Sequence, residues 1–299
     1  MPKLRLESST DAFDLDGVFG TGYGVVALDG VNGVGLPSIG TQWVEGAGNG
    51  AVWRGKRVLA RDVDLPLAIV APDRATLRAT TTRLARMLDG PMTLRFVEDD
   101  GSSWTLDVRH NGGGQMVLGT DTDRAVTEAS TVVSLRAGDP FWTSSAVQRV
   151  TVSAITGRGL LSYDSDGSGP SPRGGSSLSF LRVSASQTLG DFTMPNDGDA
   201  PAFPTWTIVG PGSNLVVTSS TGESFAWNGT LTALDTLTID TRNATVTDQT
   251  GASRYASLGP APRLWKVQPG VTTAHVALTG STSATVITVE WQPRRWTVV

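Results

Sequence analysis

The sequence predicts a mainly β protein of two domains, on three observations. Apolar and polar residues alternate in short runs, Gly and Pro break those runs throughout, and only one stretch has helical spacing. With 299 residues the chain is long enough for two domains that each bury a core. The predicted arrangement is an N-terminal β-sandwich or barrel-like domain carrying one α-helix, over residues 1–144, followed by a C-terminal β-sandwich over residues 145–299.

In the first half, "GAVWRGKRVLARDVDLPLAIVAPD" reads as two strands. In the second of these, Val63, Leu65, Leu67 and Ile69 alternate with Asp62, Asp64, Pro66 and Ala68, which buries one face. Pro66 has no N–H to give a ladder, so the strand is expected at a sheet edge or with a bulge. The helix follows. Asp73 is the expected N-cap, Leu77, Leu84 and Leu88 share a face, and "DGP" at Asp89 to Pro91 ends it. Arg74, Arg78, Arg83 and Arg86 fall away from that stripe and read as a solvated face.

"TLRFVEDDGSSWTLDV" is a hairpin: Leu94 and Phe96 share a face, Asp99-Asp100-Gly101 turns, and Trp104, Leu106 and Val108 return. "HNGGGQ" (His110 to Gln115) reads as a flexible connection. A strand over Ser130 to Arg136 then leads into "AGDPFWTSS", and another (Val147 to Ile155) leads out. There Asp139 caps a turn, Pro140 fixes φ and lacks an N–H, and Phe141 and Trp142 plug a core edge.

From Val147 onward short alternating strands recur at sandwich spacing. Trp206 with Ile208, Leu215 with Val217, Phe225 with Trp227, Leu237 with Ile239, and Ile287 with Val289 and Trp291 each share a face. Pro204 and Pro211 bracket one strand, Asp240 caps the turn after another, and Pro269-Gly270 makes a tight reversal. "DSDGSGPSPRGGSS" (Asp164 to Ser177) is a polar loop rich in breakers, the expected first site of proteolysis.

The residues offer little chemistry. A net charge of −4 gives no electrostatic footprint for nucleic acid, and the lack of cysteine excludes disulfides and thiolate metal sites. His110 and His275 have no partner at ligand spacing. Asp164 and Asp166 begin like a calcium loop, but the acidic ligand needed eleven residues after the first aspartate is Gly175. "GTGYG" (Gly20 to Gly24) opens no helix and completes no nucleotide fingerprint. Nine tryptophans could stack on sugars, yet Trp206, Trp227, Trp265 and Trp291 stand in step with aliphatic residues, as core side chains do. No signal-like apolar core or membrane-length stretch occurs. No catalytic, cofactor-binding or metal residue is assigned.

The order "WRGKRVLARDVDLPLAIV", a short Leu-rich helix, a strand pair with an acidic-Gly turn and a strand ending "GDPFW" resembles the N-terminal domain of the distal tail proteins of long, flexible-tailed bacteriophages, the phage-tail family of minor tail proteins. "NDGDAPAFPTWTIVGPG", "LTIDTRNATVTDQTG", "LWKVQPGVTTAHVAL" and "VEWQPRRW" stand in the order of that family's galectin-like C-terminal sandwich. The resemblance implies a non-enzymatic structural protein of the virion tail tip, assembled in the host cytoplasm, with no cofactor and no membrane insertion. It implies a homo-hexameric ring made by residues 1–144, with sandwiches projecting outward. Its partners would be the tail tube protein, the tape-measure protein and tail-tip or receptor-binding proteins, with DNA only in transit. Asp139, Pro140, Phe141 and Trp142 become the structural residues of the domain junction. The rival reading from another class is a carbohydrate-binding accessory module that aids adsorption to the host surface.

Overall fold

In the computed structural model, which describes residues 3–18, 22–118, 127–153 and 188–298, the runs of the first half become strands of one nearly closed sheet and of a separate two-stranded hairpin, β4–β5. They are β1 (Lys3–Ser8), β2 (Ala12–Asp14), β3 (Gly24–Ala27), β4 (Ile39–Glu45), β5 (Ala51–Val58) and β6 (Arg61–Val70). After helix α1 (Arg74–Leu88) come β7 (Met92–Val97), β8 (Ser103–Gly113), β9 (Val117–Leu118), β10 (Glu128–Ala137) and β11 (Trp142–Ser144). The main path runs β2-β1-β7-β8-β10-β6-β3, all antiparallel where paired. Its ends meet: the Ala27 amide donates to the Leu15 carbonyl at 2.8 Å and that of Gly17 to Val25 at 3.3 Å. This near-closure leaves little of the open edge that invites aggregation.

The interior is filled by one face of each strand, including Leu6, Val63, Leu65, Leu94, Leu106, Val133 and Leu135, all buried. Helix α1 adds Leu77, Leu84 and Met87 to it, with Leu88 half-buried beside them. Its start is the expected one: the Asp73 side chain accepts from the Thr76 amide at 2.8 Å. The β7–β8 hairpin also forms as the alternation requires, pairing Leu94 with Leu106 and Phe96 with Trp104 around a turn where Gly101 adopts φ +85°.

Three expectations are corrected. Strand β6 is not an edge, for it lies between β10 and β3. Its Pro66 is tolerated because the residue's polar edge faces β3, whose ladder stops there: Ala27 pairs with Leu67, and the Leu28 amide then takes the Pro66 carbonyl at 2.8 Å. The stretch His110 to Gly113 is not a flexible connection but the end of β8, where a register shift on β10 leaves Asn111 as the extra residue between His110 and Gly112. Two residues on, Gly113 has φ +78° and the Val132 carbonyl where a Cβ would sit, so only glycine fits at the strand's end. Finally, Arg83 is not merely solvated. It grips the Asp11 carboxylate and the Ala12 carbonyl and lies 4.3 Å over the Phe13 ring.

The second half builds a two-layer sandwich from β12 (Gln148–Ser153), β13 (Thr188–Asn196), β14 (Thr205–Val209), β15 (Gly212–Ser219), β16 (Ser224–Leu231), β17 (Thr236–Asp240), β18 (Thr245–Asp248), β19 (Gly270–Thr279) and β20 (Val286–Trp291). One sheet has the order β12-β20-β14-β17-β18 and the other β13-β19-β15-β16. Between them pack Trp206, Ile208, Ile239 and Val289 from the first and Leu215, Val217, Phe225 and Val276 from the second. Trp206 anchors this core, edge-on to Phe225 at 5.8 Å and to Trp265 at 5.6 Å. The four tryptophans read as core side chains are buried, although Trp265 stands outside the strands. Asp240 caps its turn, accepting from the Arg242 amide at 2.8 Å. The loop Asp164 to Ser177, with Asp166, lies outside the described residues.

The chain thus divides into two compact units, Met1–Val147 with Gly198–Ala200 and Gln292–Val299, and Gln148–Asp197 with Pro201–Trp291. The last strand, β21 (Arg294–Arg295), pairs with β11 and so belongs to the first unit. Within the second unit, the two chain ends sit side by side, since Gln148 pairs with Trp291.

Candidate assembly site

The Asp139-to-Trp142 turn lies in the first unit, between β10 and β11, and the 292–298 segment closes over it. Trp142 is fully buried (0% exposed), edge-on to Phe96 at 6.4 Å, with its indole N–H donating to the Val34 carbonyl at 3.3 Å. Phe141 is half-buried, 4.8 Å from the Trp296 ring, and the Arg294 guanidinium stands 4.5 Å over its face. Asp139 accepts from the Phe141 amide at 3.3 Å and pairs with the buried Arg294. Pro140 presents its carbonyl to the Nε of Arg61 at 2.7 Å.

Arg61 is the centre of this arrangement. It is buried and donates to four backbone carbonyls: those of Pro140, of Gly33 at 2.6 Å, of Gly35, and of Trp296 at 2.6 Å. Burial pushes its pKa down to about 10, which still leaves it protonated near neutral pH. A planar fork of donors can tie separate chain segments at once, which a lysine cannot do. The turn, the Gly33–Gly35 loop and the 292–298 segment are thereby joined through one side chain.

A second feature of the same unit is the β4–β5 hairpin, which pairs with no other strand among the described residues. Trp43 sits opposite Trp53 and Val44 opposite Val52, so apolar side chains stand on both faces. Trp43 is 57% exposed and Trp53 51%, with Val44 and Val52 also exposed. An isolated two-stranded hairpin is marginal in water, and uncovered apolar area on it marks a contact surface. Arg54, Lys56 and Arg57 against Glu45 make it basic.

Nothing comparable exists for chemistry. Among the described residues no His, Asp and Glu group is placed to hold a metal ion, and no helix is long and apolar enough to cross a membrane. His275 makes an exposed pair with Asp191 at 2.7 Å, across β19 and β13. His110 is exposed on β8.

Sequence reasoning placed the Asp139-to-Trp142 turn but missed its partners. Arg61 continues the inward parity of Val63, Leu65, Leu67 and Ile69, a signal masked by its charge. Strand β4 was missed because an apolar residue on each face gives no alternation.

Residues 197–296 match the family described as siphovirus-type tail component, C-terminal domain. Among curated protein sequences none matches significantly. The crystal structure of the phage SPP1 Dit protein, described as a paradigm of the hub adsorption apparatus in phages that infect Gram-positive bacteria, superposes with a TM-score of 0.66. It covers 98% of this chain and 99% of that one at 14% identity. Chains of the phage p2 baseplate in its activated conformation, with Ca and with Sr, give TM-scores of 0.53 and 0.52 at 9% identity, each covering 100% of both chains. Residues 197–296 thus match the siphovirus-type tail component family, and the whole chain shares the fold of the SPP1 Dit protein.

Proposed function

We propose that this structural component of the virion tail tip forms a six-fold ring that joins the tail tube to the adsorption apparatus. The ring leaves a channel for the tape-measure protein and then DNA. The first unit makes the ring, and the sandwich of the second unit meets tail-tip or receptor-binding proteins. The protein acts as a scaffold, not a catalyst. The Asp139-to-Trp142 turn serves as the structural junction from which the chain departs into the sandwich.

The observation that carries this reading is the β4–β5 hairpin: a subunit that exposes two tryptophans on a basic ribbon is incomplete until another surface covers them. Its agreement along the whole chain with a protein of a hub adsorption apparatus points the same way. Closed cyclic symmetry lets every subunit present the same patch to the rings of the tube. A channel for DNA should lack clustered cations, which would hold phosphates. Mass photometry and light scattering of the full chain across concentrations are expected to give a six-subunit species, and images of intact tails should place it at the distal end of the tube. A tail tip without this protein there refutes the reading.

A further inference from the structure

The first unit carries an apolar hollow that matches its own hairpin in chemistry. On the outward face of the closed sheet, Leu28, Pro66, Val117 and Val132 line a groove of about 350 Å³. At roughly 30 Å³ per water molecule, this has room for a large aromatic side chain. Val132 and Pro66 are directly paired on β10 and β6, on the side away from the core. Leu28, Val117 and Val132 are exposed, so the floor and walls of the groove stand in solvent.

The charges around the two surfaces are opposite. Asp29 follows Leu28, Asp64 shares the outward face two residues from Pro66, and Glu128 shares it four residues from Val132. The cations of that face, Arg136 and Arg109, are paired with each other across β10 and β8 near Asp62. They lie four residues along the strand from Val132, about 13 Å at a strand's rise. The hairpin brings Arg54, Lys56 and Arg57 with a single carboxylate, Glu45.

We infer that the β4–β5 hairpin of one copy docks its Trp43–Trp53 pair into the Leu28–Pro66–Val117–Val132 groove of the next copy. The inference rests on the ring reading and names its contact. Tryptophan anchors in an apolar pocket, rimmed by charges that set orientation, are what a specific interface needs. Because hairpin and groove are different patches of one unit, their pairing is head-to-tail, which propagates around a ring and leaves neither patch unused. It also turns the hairpin's cations toward carboxylates and away from a channel that passes DNA.

The chain has no cysteine, so engineered thiols report contacts without background. In full-length Thr41→Cys/Ser130→Cys, a short bis-maleimide should yield a ladder of covalent oligomers ending at the closed species, whereas either single variant should yield no ladder. Arg54→Glu/Lys56→Glu/Arg57→Glu should weaken association by on the order of tenfold. Adding Asp29→Lys/Glu128→Lys to the same chain should restore it, which also shows that the variants fold. A closed oligomer without hairpin-to-groove cross-links overturns this contact and leaves the ring. Dimers from Thr41→Cys alone indicate hairpin-to-hairpin pairing and overturn it as well. Groove cross-links that join only to added tail tube protein overturn it in favour of that partner. Monomers at every concentration, without cross-links, overturn contact and ring together.

Discussion

Two hairpins of the first unit have the same plan and opposite fates. In β7–β8, Phe96 faces Trp104; in β4–β5, Trp43 faces Trp53. Phe96 and Trp104 are 7% and 5% exposed because the rest of the nearly closed sheet covers them, while the tryptophans of β4–β5 have no such cover among the described residues. Cross-strand aromatic pairing is therefore not what distinguishes core from contact surface here. The distinction is whether the neighbouring strands supply a second layer. The β7–β8 hairpin holds its unit together, and the β4–β5 hairpin leaves its tryptophans exposed.

Substitution should separate the two most sharply. Trp104→Ala is expected to lower the stability of the full chain by about 3–5 kcal/mol, as truncation of a buried large aromatic does. Trp53→Ala should shift it by no more than about 0.5 kcal/mol, as surface changes do, while reducing oligomer formation. Thermal and urea unfolding at a concentration that keeps the protein monomeric, beside light scattering at high concentration, measures both. Equal destabilisation by the two variants would erase the contrast.

The Asp139-to-Trp142 turn contains both kinds of aromatic side by side. Trp142→Ala should cost about 3–5 kcal/mol. Phe141→Ala should cost less, about 1–2 kcal/mol, since its ring is half-buried against Trp296 and Arg294. Urea midpoints of the two variants check the order, and its reversal would place the load on the 292–298 segment instead. Arg61→Met removes the charge-assisted bonds to four carbonyls while filling similar space, at an expected loss of about 2–4 kcal/mol. Hydrogen exchange should show the accompanying loss of protection confined to residues 33–35 and 294–296.

The smallest expected effect lies in the second unit. A hydrogen bond from the Thr250 hydroxyl, foremost among several, holds the Asp248 carboxyl at about 2 against an ordinary 3.8. A depressed pKa means that unfolding takes up a proton, so this contribution is complete above the ordinary value and disappears as pH falls through about 2. Chemical shifts of the Asp248–Ala252 turn, followed between pH 5 and 1.5, should titrate at the low value. A midpoint near the ordinary one would show the turn to be loose in solution.

The parts legible in the sequence were those whose partners are local. Asp73, Leu77 and Leu84 specify the helix within one segment, and Leu94, Phe96, Trp104 and Leu106 specify a hairpin across a short turn. The turn of Asp139 and Pro140 was legible for the same reason. What escaped depends on distant chain. Pro66 looked like an edge residue because the length of β3, which decides whether its missing N–H matters, is set forty residues earlier. Arg61 meets Trp296 across 235 residues, and no periodicity announces such a meeting. The hairpin tryptophans had no face to declare, since no layer among the described residues covers either side of β4–β5.

The return of β21 to β11 sets an order of events during synthesis. Residues 3–147 leave the ribosome with Arg61 still short of the Trp296 carbonyl and Asp139 short of Arg294. At roughly 5–20 residues per second, about ten to thirty seconds pass before the 292–298 segment arrives. The sandwich strand β20, which pairs with β12, emerges immediately ahead of that segment, so sandwich and clasp are completed together. A nascent chain stalled after residue 150 should stay sensitive to protease in the first unit, and one stalled well past 299 should not. The clasp therefore ties completion of the first unit to synthesis of the entire sandwich, since a truncated translation product lacks the Arg61–Trp296 and Asp139–Arg294 contacts.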